Sequence, residues 1–124
     1  MDHTLFYNPT QYDISMIKGD TMSFGFQLQG LDNTPPDDIT FTCKETPEST
    51  EPLFELYIDN GIEFREYDSE TDTATYSLRL PPEATQELNV GRYFYDLQLT
   101  AGDDVLTLLI GRFAIDYEIT NFNA

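Results

Sequence analysis

Hydrophobic residues fall on every second position along much of this chain. In TMSFGFQLQG, residues 21–30, Met22, Phe24, Phe26 and Leu28 share one face, and Ser23, Gly25, Gln27 and Gln29 the other. A period of two marks a strand with one side on a core and the other in water. Ile39, Phe41 and Cys43 repeat the pattern, as do Ala74, Tyr76, Leu78 and Leu80. In LNVGRYFYDLQL, residues 88–99, Tyr93, Tyr95, Leu97 and Leu99 alternate with Phe94, Asp96 and Gln98. VLTLLIG and RFAIDYEI read as the last two strands, the second with Phe113, Ile115 and Tyr117 on one face. YDISMI, residues 12–17, is a shorter strand-like run.

Turn chemistry separates these runs. KGD at 18–20 is a turn, and LDNTPPDD at 31–38 and TPESTEP at 46–52 are loops. YDSETDTAT at 67–75 is an acidic turn, and TAGDD at 100–104 a hairpin turn. PPEATQEL at 81–88 has room for one helical turn, and its two prolines forbid a strand. No long helical period occurs. Seven to nine short strands with evenly spaced turns predict an all-β fold, an antiparallel β-sandwich. The division is an N-terminal arm at 1–11, the sandwich at 12–120 and a tail at 121–124.

Two stretches fix details. LFELYIDNGIEF suggests a two-residue Asn60-Gly61 hairpin, but that register sets Ile58 against Glu63 and Leu56 against Arg65. A three-residue loop, Asp59-Asn60-Gly61, pairs Ile58 with Ile62 and Leu56 with Phe64, with Gly61 in the left-handed position. The alternative is a bend at Gly61 where the chain crosses between sheets. The second stretch is Leu88-x-x-Gly91-x-Tyr93. It has the parts of a tyrosine corner: an apolar plug, a glycine turn, and a tyrosine whose hydroxyl bonds back to the preceding loop. The plainer reading is a core tyrosine in a strand.

At 124 residues the chain is one domain, able to bury roughly two thirds of its unfolded surface. Its charge changes the picture of its partners. There are 23 acids and six bases, Lys18, Lys44, Arg65, Arg79, Arg92 and Arg112, for a net −17. Direct binding to a nucleic-acid backbone needs a basic patch and is not expected. The charge suits solubility, a basic partner, or imitation of nucleic acid. No run approaches the roughly 18–20 apolar residues of a membrane span. The start, MDHTLFYNPT, lacks a signal peptide's basic and apolar regions, which predicts folding in a reducing cytoplasm.

Catalytic constellations are scarce. The one histidine, His3, lies in the arm, so neither a Ser-His-Asp set nor a base for Cys43 is in view. Cys43 reads as a small buried residue. Asp68-Ser69-Glu70-Thr71-Asp72 has alternating acids but no glycine where a calcium loop turns sharply. Exposed aromatics would suit a sugar-binding face, but the chain has no Trp and most rings sit at core phase. No cofactor or metal is expected, and no enzyme activity.

Several segments together resemble a known family. They are Ile17-Lys18-Gly19-Asp20-Thr21 before an alternating strand, Asn60-Gly61-Ile62, Tyr76-Ser77-Leu78-Arg79-Leu80, Gly91-Arg92-Tyr93-Phe94-Tyr95-Asp96-Leu97, and Leu106 to Phe113 followed by Glu118-Ile119-Thr120. Their order is similar to that of the small immunoglobulin-like proteins and domains of tailed bacteriophages and prophages, including N-terminal domains of upper-baseplate and tail-fibre proteins. The resemblance runs from about residue 12 to residue 120. It implies an immunoglobulin-like Greek-key sandwich. It implies a non-catalytic virion protein, made in the bacterial host cytoplasm, that joins other phage structural proteins in a symmetric tail, baseplate or neck assembly. The net charge departs from many members of the family. In the arm, Leu5, Phe6 and Tyr7 are candidate partner contacts. The competing expectation is an acidic phage-encoded inhibitor that blocks a basic protein surface; a third is a sugar- or cell-surface-binding module.

Overall fold

The alternating runs become strands because each has one apolar face to bury. A computed structural model of the chain describes residues 10–117. In order these form β1 (Thr10–Gln11), β2 (Ile14–Ile17), β3 (Met22–Gln29), β4 (Asp38–Lys44), β5 (Phe54–Ile58), β6 (Gly61–Asp68), β7 (Thr73–Leu80), α1 (Glu83–Gln86), β8 (Gly91–Ala101) and β9 (Asp104–Asp116). One layer runs β9–β8–β4–β5, with β1 and β2 in turn pairing the outer edge of β9. The other runs β6–β7–β3. Pairing is antiparallel within the layers, except that β1 and β2 run parallel to β9. The fold is an all-β, immunoglobulin-like Greek-key sandwich.

The core lies where the two inner faces meet. Ile39, Phe41 and Cys43 of β4, Leu78 and Leu80 of β7, Ile62 and Phe113 are fully buried. Phe41 is its hub, stacked on Tyr95 at 5.1 Å and edge-on to Phe113 at 6.3 Å between ring centroids. Burying each such side chain contributes about 1.5–3 kcal/mol. A second aromatic row crosses the other layer: Phe26 stacks on Tyr76 at 5.7 Å, and Phe64 meets Tyr76 edge-on at 5.6 Å. These three are cross-strand neighbours on one face, which explains the row.

Three expectations change. First, β5 and β6 are not a hairpin. Leu56 pairs with Phe41 of β4, and Phe64 with Tyr76 of β7, so the Leu56–Phe64 pair does not form. The chain crosses between layers, the bend that was the alternative. Tyr57 and Asn60 exchange two backbone hydrogen bonds of 2.9 Å, and Ile58 still partners Ile62. The crossing keeps Leu56 in the core. It needs left-handed backbone at Asp59 (φ 68°) and Gly61 (φ 103°), and a side chain at Gly61 would meet Leu56 within 2.7 Å.

Second, VLTLLIG and the RFAID that follows it are one continuous strand, β9, bulged near Leu108. Gly111 does not break it. Its missing side chain lets the chain between β1 and β2 lie against the strand: a Cβ there would sit 2.2 Å from the Tyr12 carbonyl oxygen. Tyr117, past the end of β9, is 59% exposed and does not share the buried face of Phe113 and Ile115. Third, the sandwich begins before residue 12, since Thr10 and Gln11 pair with Leu109 and Ile110.

Candidate docking surfaces

The residues expected to shape the loop before β8 meet at its start. The Tyr93 hydroxyl donates to the Asn89 carbonyl at 2.6 Å, four residues back, the bond that defines a tyrosine corner. Leu88 packs half-buried against the core. Gly91 opens β8 with ordinary backbone, and a Cβ there would meet nothing within 4 Å. The corner therefore does not require glycine, a correction to the glycine turn read from the sequence. A partner the sequence did not signal is Thr85. This fully buried residue of α1 accepts a hydrogen bond from Gly19 N at 3.0 Å, tying α1 to the β2–β3 turn.

A second tyrosine anchors the N-terminal strands. The Tyr95 hydroxyl donates to the Tyr12 carbonyl. Arg112 N donates to Asp13 Oδ1 at 3.0 Å, and Tyr12 N to the Ile110 carbonyl at 3.0 Å. These bonds satisfy the backbone where the chain steps from β1 to β2. Burial, then the nearby Asp13 carboxylate, pushes the Tyr95 hydroxyl pKa well above its ordinary value. The candidate contacts Leu5, Phe6 and Tyr7 lie outside the described residues, as does His3. Burial pushes the Cys43 thiol up to about 12, so it is held as a neutral core residue rather than a nucleophile. Among the described residues, no three His, Cys, Asp or Glu side chains are placed to hold a metal ion. No helix there is long and apolar enough to cross a membrane.

Two surfaces stand out. The first is the outer face of the larger layer. The inner residues of β8 are Tyr93, Tyr95, Leu97 and Leu99, so Phe94, Asp96, Gln98 and Thr100 face out. Their partners on β9 include Arg112, Ile110 and Val105, and those on β4 include Lys44 and Thr42. Ile110 is 45% and Val105 58% exposed. Phe94, Ile110 and Pro47 line a shallow hollow of about 150 Å³. Asp96 stands in it; burial raises its carboxyl pKa and the Lys44 charge opposes the rise.

The second is one end of the sandwich, where residues 31–37, the β6–β7 turn and the β8–β9 turn converge. Asp32 and Asp37 come from the first, with Asp38 following at the start of β4; Glu70 and Asp72 come from the second, with Asp68 at the end of β6; Asp103 comes from the third, with Asp104 at the start of β9. Among the described residues no base stands there. Lys18, Lys44, Arg79 and Arg92 lie toward the opposite end, and Arg112 faces Phe94. Arg65 faces outward from β6, donating to Ser77 Oγ at 2.7 Å and standing 3.6 Å from Glu63. Several of the acids hold the loop. Asp72 Oδ1 accepts from Asp32 N and from the Tyr67 hydroxyl, both at 2.9 Å. Asp37 Oδ2 accepts from Gly102 N at 2.7 Å, and Asp38 Oδ1 from Ile39 N at 2.8 Å and Ile58 N at 3.2 Å. Under the fixed loop is a cleft of about 410 Å³ with Leu31, Pro36, Ile58, Phe64 and Tyr76 in its walls.

No family model matches the chain, and no curated protein matches it. Among solved structures the fold is similar to part of a family 123 glycoside hydrolase from Clostridium perfringens. The TM-score is 0.53 at 10% identity, over 88% of this chain and 23% of that one. That likeness is one of fold: the chain spans under a quarter of the hydrolase's length.

Proposed function

We propose that this chain is a non-catalytic structural component of a tailed phage, an adaptor or accessory subunit of tail, baseplate or neck that docks to neighbouring virion subunits. The observation that carries the reading is the outer face of the β9–β8–β4–β5 layer. It is a sheet face with Val105 and Ile110 exposed and Phe94 in a hollow beside Ile110, on a protein whose charge of −17 would otherwise keep it apart from its neighbours. Apolar residues set among polar ones on a rigid face are what a subunit contact needs. The similarity of the Lys18-Gly19-Asp20 and Tyr93-x-Tyr95 segments to the phage immunoglobulin-like family supports the same reading. The arm with Leu5, Phe6 and Tyr7 is a second candidate contact.

The test is to purify particles from the source phage and quantify this chain by mass spectrometry against the major tail protein. A fixed small ratio supports the reading, above all a multiple of three or six per particle. Absence from particles while the protein is abundant in infected cells sinks it. That outcome favours the second reading, an acidic inhibitor of a basic protein surface. The observation behind the second reading is the end of the sandwich that, among the described residues, carries eight acids and no base.

A further inference from the structure

We propose that the cleft beneath residues 31–37 is a binding site for a basic, extended segment of a partner protein, which inserts one large apolar side chain. The proposal rests on the reading of this chain as a docking protein and names the chemistry of one partner. The cleft is built before any ligand arrives. Its loop wall is fixed by the backbone bonds to Asp72, Asp37 and Asp38, so little ordering is left to binding. Its other wall is the end of the aromatic row. Tyr76 is buried, but Phe64, its neighbour on β6, is 52% exposed. The β6–β7 register shifts just after Phe64, so the regular cross-strand pairing ends beside the ring. The volume of about 410 Å³ falls within the range of roughly 300–1,000 Å³ usual for ligand sites.

The rim decides the class of occupant. Asp37 lines the largely apolar cleft, and seven more carboxylates lie on or beside the turns at the same end of the sandwich, tied to its loop through Asp72, Asp37 and Asp38. A segment with Lys or Arg on either side of an apolar anchor matches both features. The charges steer and orient it, and the anchor supplies the affinity. A second copy of this chain is a poor occupant, because it brings another −17 to an acidic surface.

The test is an NMR titration of the ¹⁵N-labelled full chain with capped peptides Lys-Arg-Xaa-Arg-Lys, where Xaa is Phe, Tyr, Leu or Ala. Amide shifts are expected around Leu31, Phe64 and Ala74. The Ala peptide is expected to bind at least about 10-fold more weakly than the best of the others, the scale of one buried apolar side chain. Raising salt well above physiological strength weakens all of them several-fold, because the rim charges are exposed. Phe64→Ala removes the discrimination between anchors. A Glu70→Gln, Asp103→Asn, Asp104→Asn variant keeps that discrimination and loses part of the salt dependence. The proposal is overturned if the Ala peptide binds as well as the rest. Shifts spread over the whole acidic surface overturn it too, as does no shift at millimolar peptide. Concentration-dependent shifts in the cleft without peptide would assign it to a second copy and also overturn it. A chain present in particles but indifferent to the peptides refutes this inference alone. A chain that binds them but is absent from particles refutes the virion reading alone.

Discussion

Two tyrosines two residues apart on β8 do the same job at different ranges. Tyr93 donates to the Asn89 carbonyl, four positions away, and closes a local corner. Tyr95 donates to the Tyr12 carbonyl, 83 positions away, and fastens the first two strands to the sandwich. Both rings are in the core and both hydroxyls end on a backbone carbonyl, so neither leaves a buried polar group alone. The difference lies in what each bond holds. Losing the local bond loosens one turn. Losing the distant one frees β1 and β2, whose other ties are the β9 ladder, the Asp13 carboxylate and the room made by Gly111.

The sharpest way to break the distant anchor is Gly111→Ala. A methyl group there would sit 2.2 Å from Tyr12 O and 2.8 Å from its carbonyl carbon, both backbone atoms, so the strand pair must separate. We expect a loss of about 3 kcal/mol in urea denaturation, at the upper end of overpacking costs. Amides of residues 12–17 should then exchange with solvent faster than those of β8. Tyr95→Phe comes next, at about 2 kcal/mol, because it strips the Tyr12 carbonyl of its buried donor. Tyr93→Phe should cost less, about 1 kcal/mol, since Asn89 lies in a loop that water reaches. A double-mutant cycle separates the two sites. Gly111→Ala and Tyr95→Phe act on one contact and should fall well short of additive, whereas Gly111→Ala and Tyr93→Phe should add within about 0.5 kcal/mol. Equal coupling in both pairs would erase the distinction drawn between local and distant anchors.

Alkaline pH probes the same difference without a mutation. Burial raises the Tyr95 hydroxyl and the Cys43 thiol above their ordinary values, so the folded chain keeps protons that the unfolded chain gives up. The unfolded state then binds fewer protons, and stability falls as pH rises. The fall begins near the unfolded thiol value of 9.0 and continues through that of tyrosine, while the folded thiol holds its proton to about 12. Below pH 8 neither group contributes a slope. Urea midpoints measured between pH 8 and pH 11 should therefore drop steadily, and Tyr95→Phe should flatten the upper part of that drop. A midpoint independent of pH over this range would contradict the burial of both groups.

The sequence was most informative where the determinants are close together in it. Period-two alternation identified the faces of β3, β4, β7 and β8, because one buried face imposes the pattern on each strand alone. The Leu88-to-Tyr93 spacing pointed to a corner for the same reason. What depended on distant neighbours was hidden. Gly111 looked like punctuation between two strands, since its cause, the carbonyl of Tyr12, arrives from the other end of the chain. Phe64 looked like a core partner for Leu56, since nothing local says that β5 and β6 belong to different layers. The acidic end was equally hidden. Its eight carboxylates lie in or beside three separate turns that the sequence presents as ordinary solvated loops, and the cleft under residues 31–37 exists only once the sandwich closes.

The smallest expected effect concerns the residue for which sequence and structure disagree most plainly. Gly91 was read as the glycine of the turn before Tyr93. Its backbone is not left-handed, and the space where a Cβ would stand is empty to 4 Å. Alanine costs nothing sterically there and restricts the unfolded chain, so Gly91→Ala should leave stability unchanged or raise it by up to about 1 kcal/mol. It should also leave the Tyr93 hydroxyl bonded, visible as an unaltered slow-exchanging signal or an unshifted tyrosine absorbance. The contrast with Gly111→Ala is the point of the experiment. Both glycines lie in the same β8–β9 pair, four residues apart by register, since Gly91 faces Ile115 and Gly111 faces Tyr95. If both substitutions cost the same, the close approach of Tyr12 would not be what glycine serves at position 111. If only the second is costly, the seam between β1–β2 and β9 is the place where this fold depends on a missing side chain.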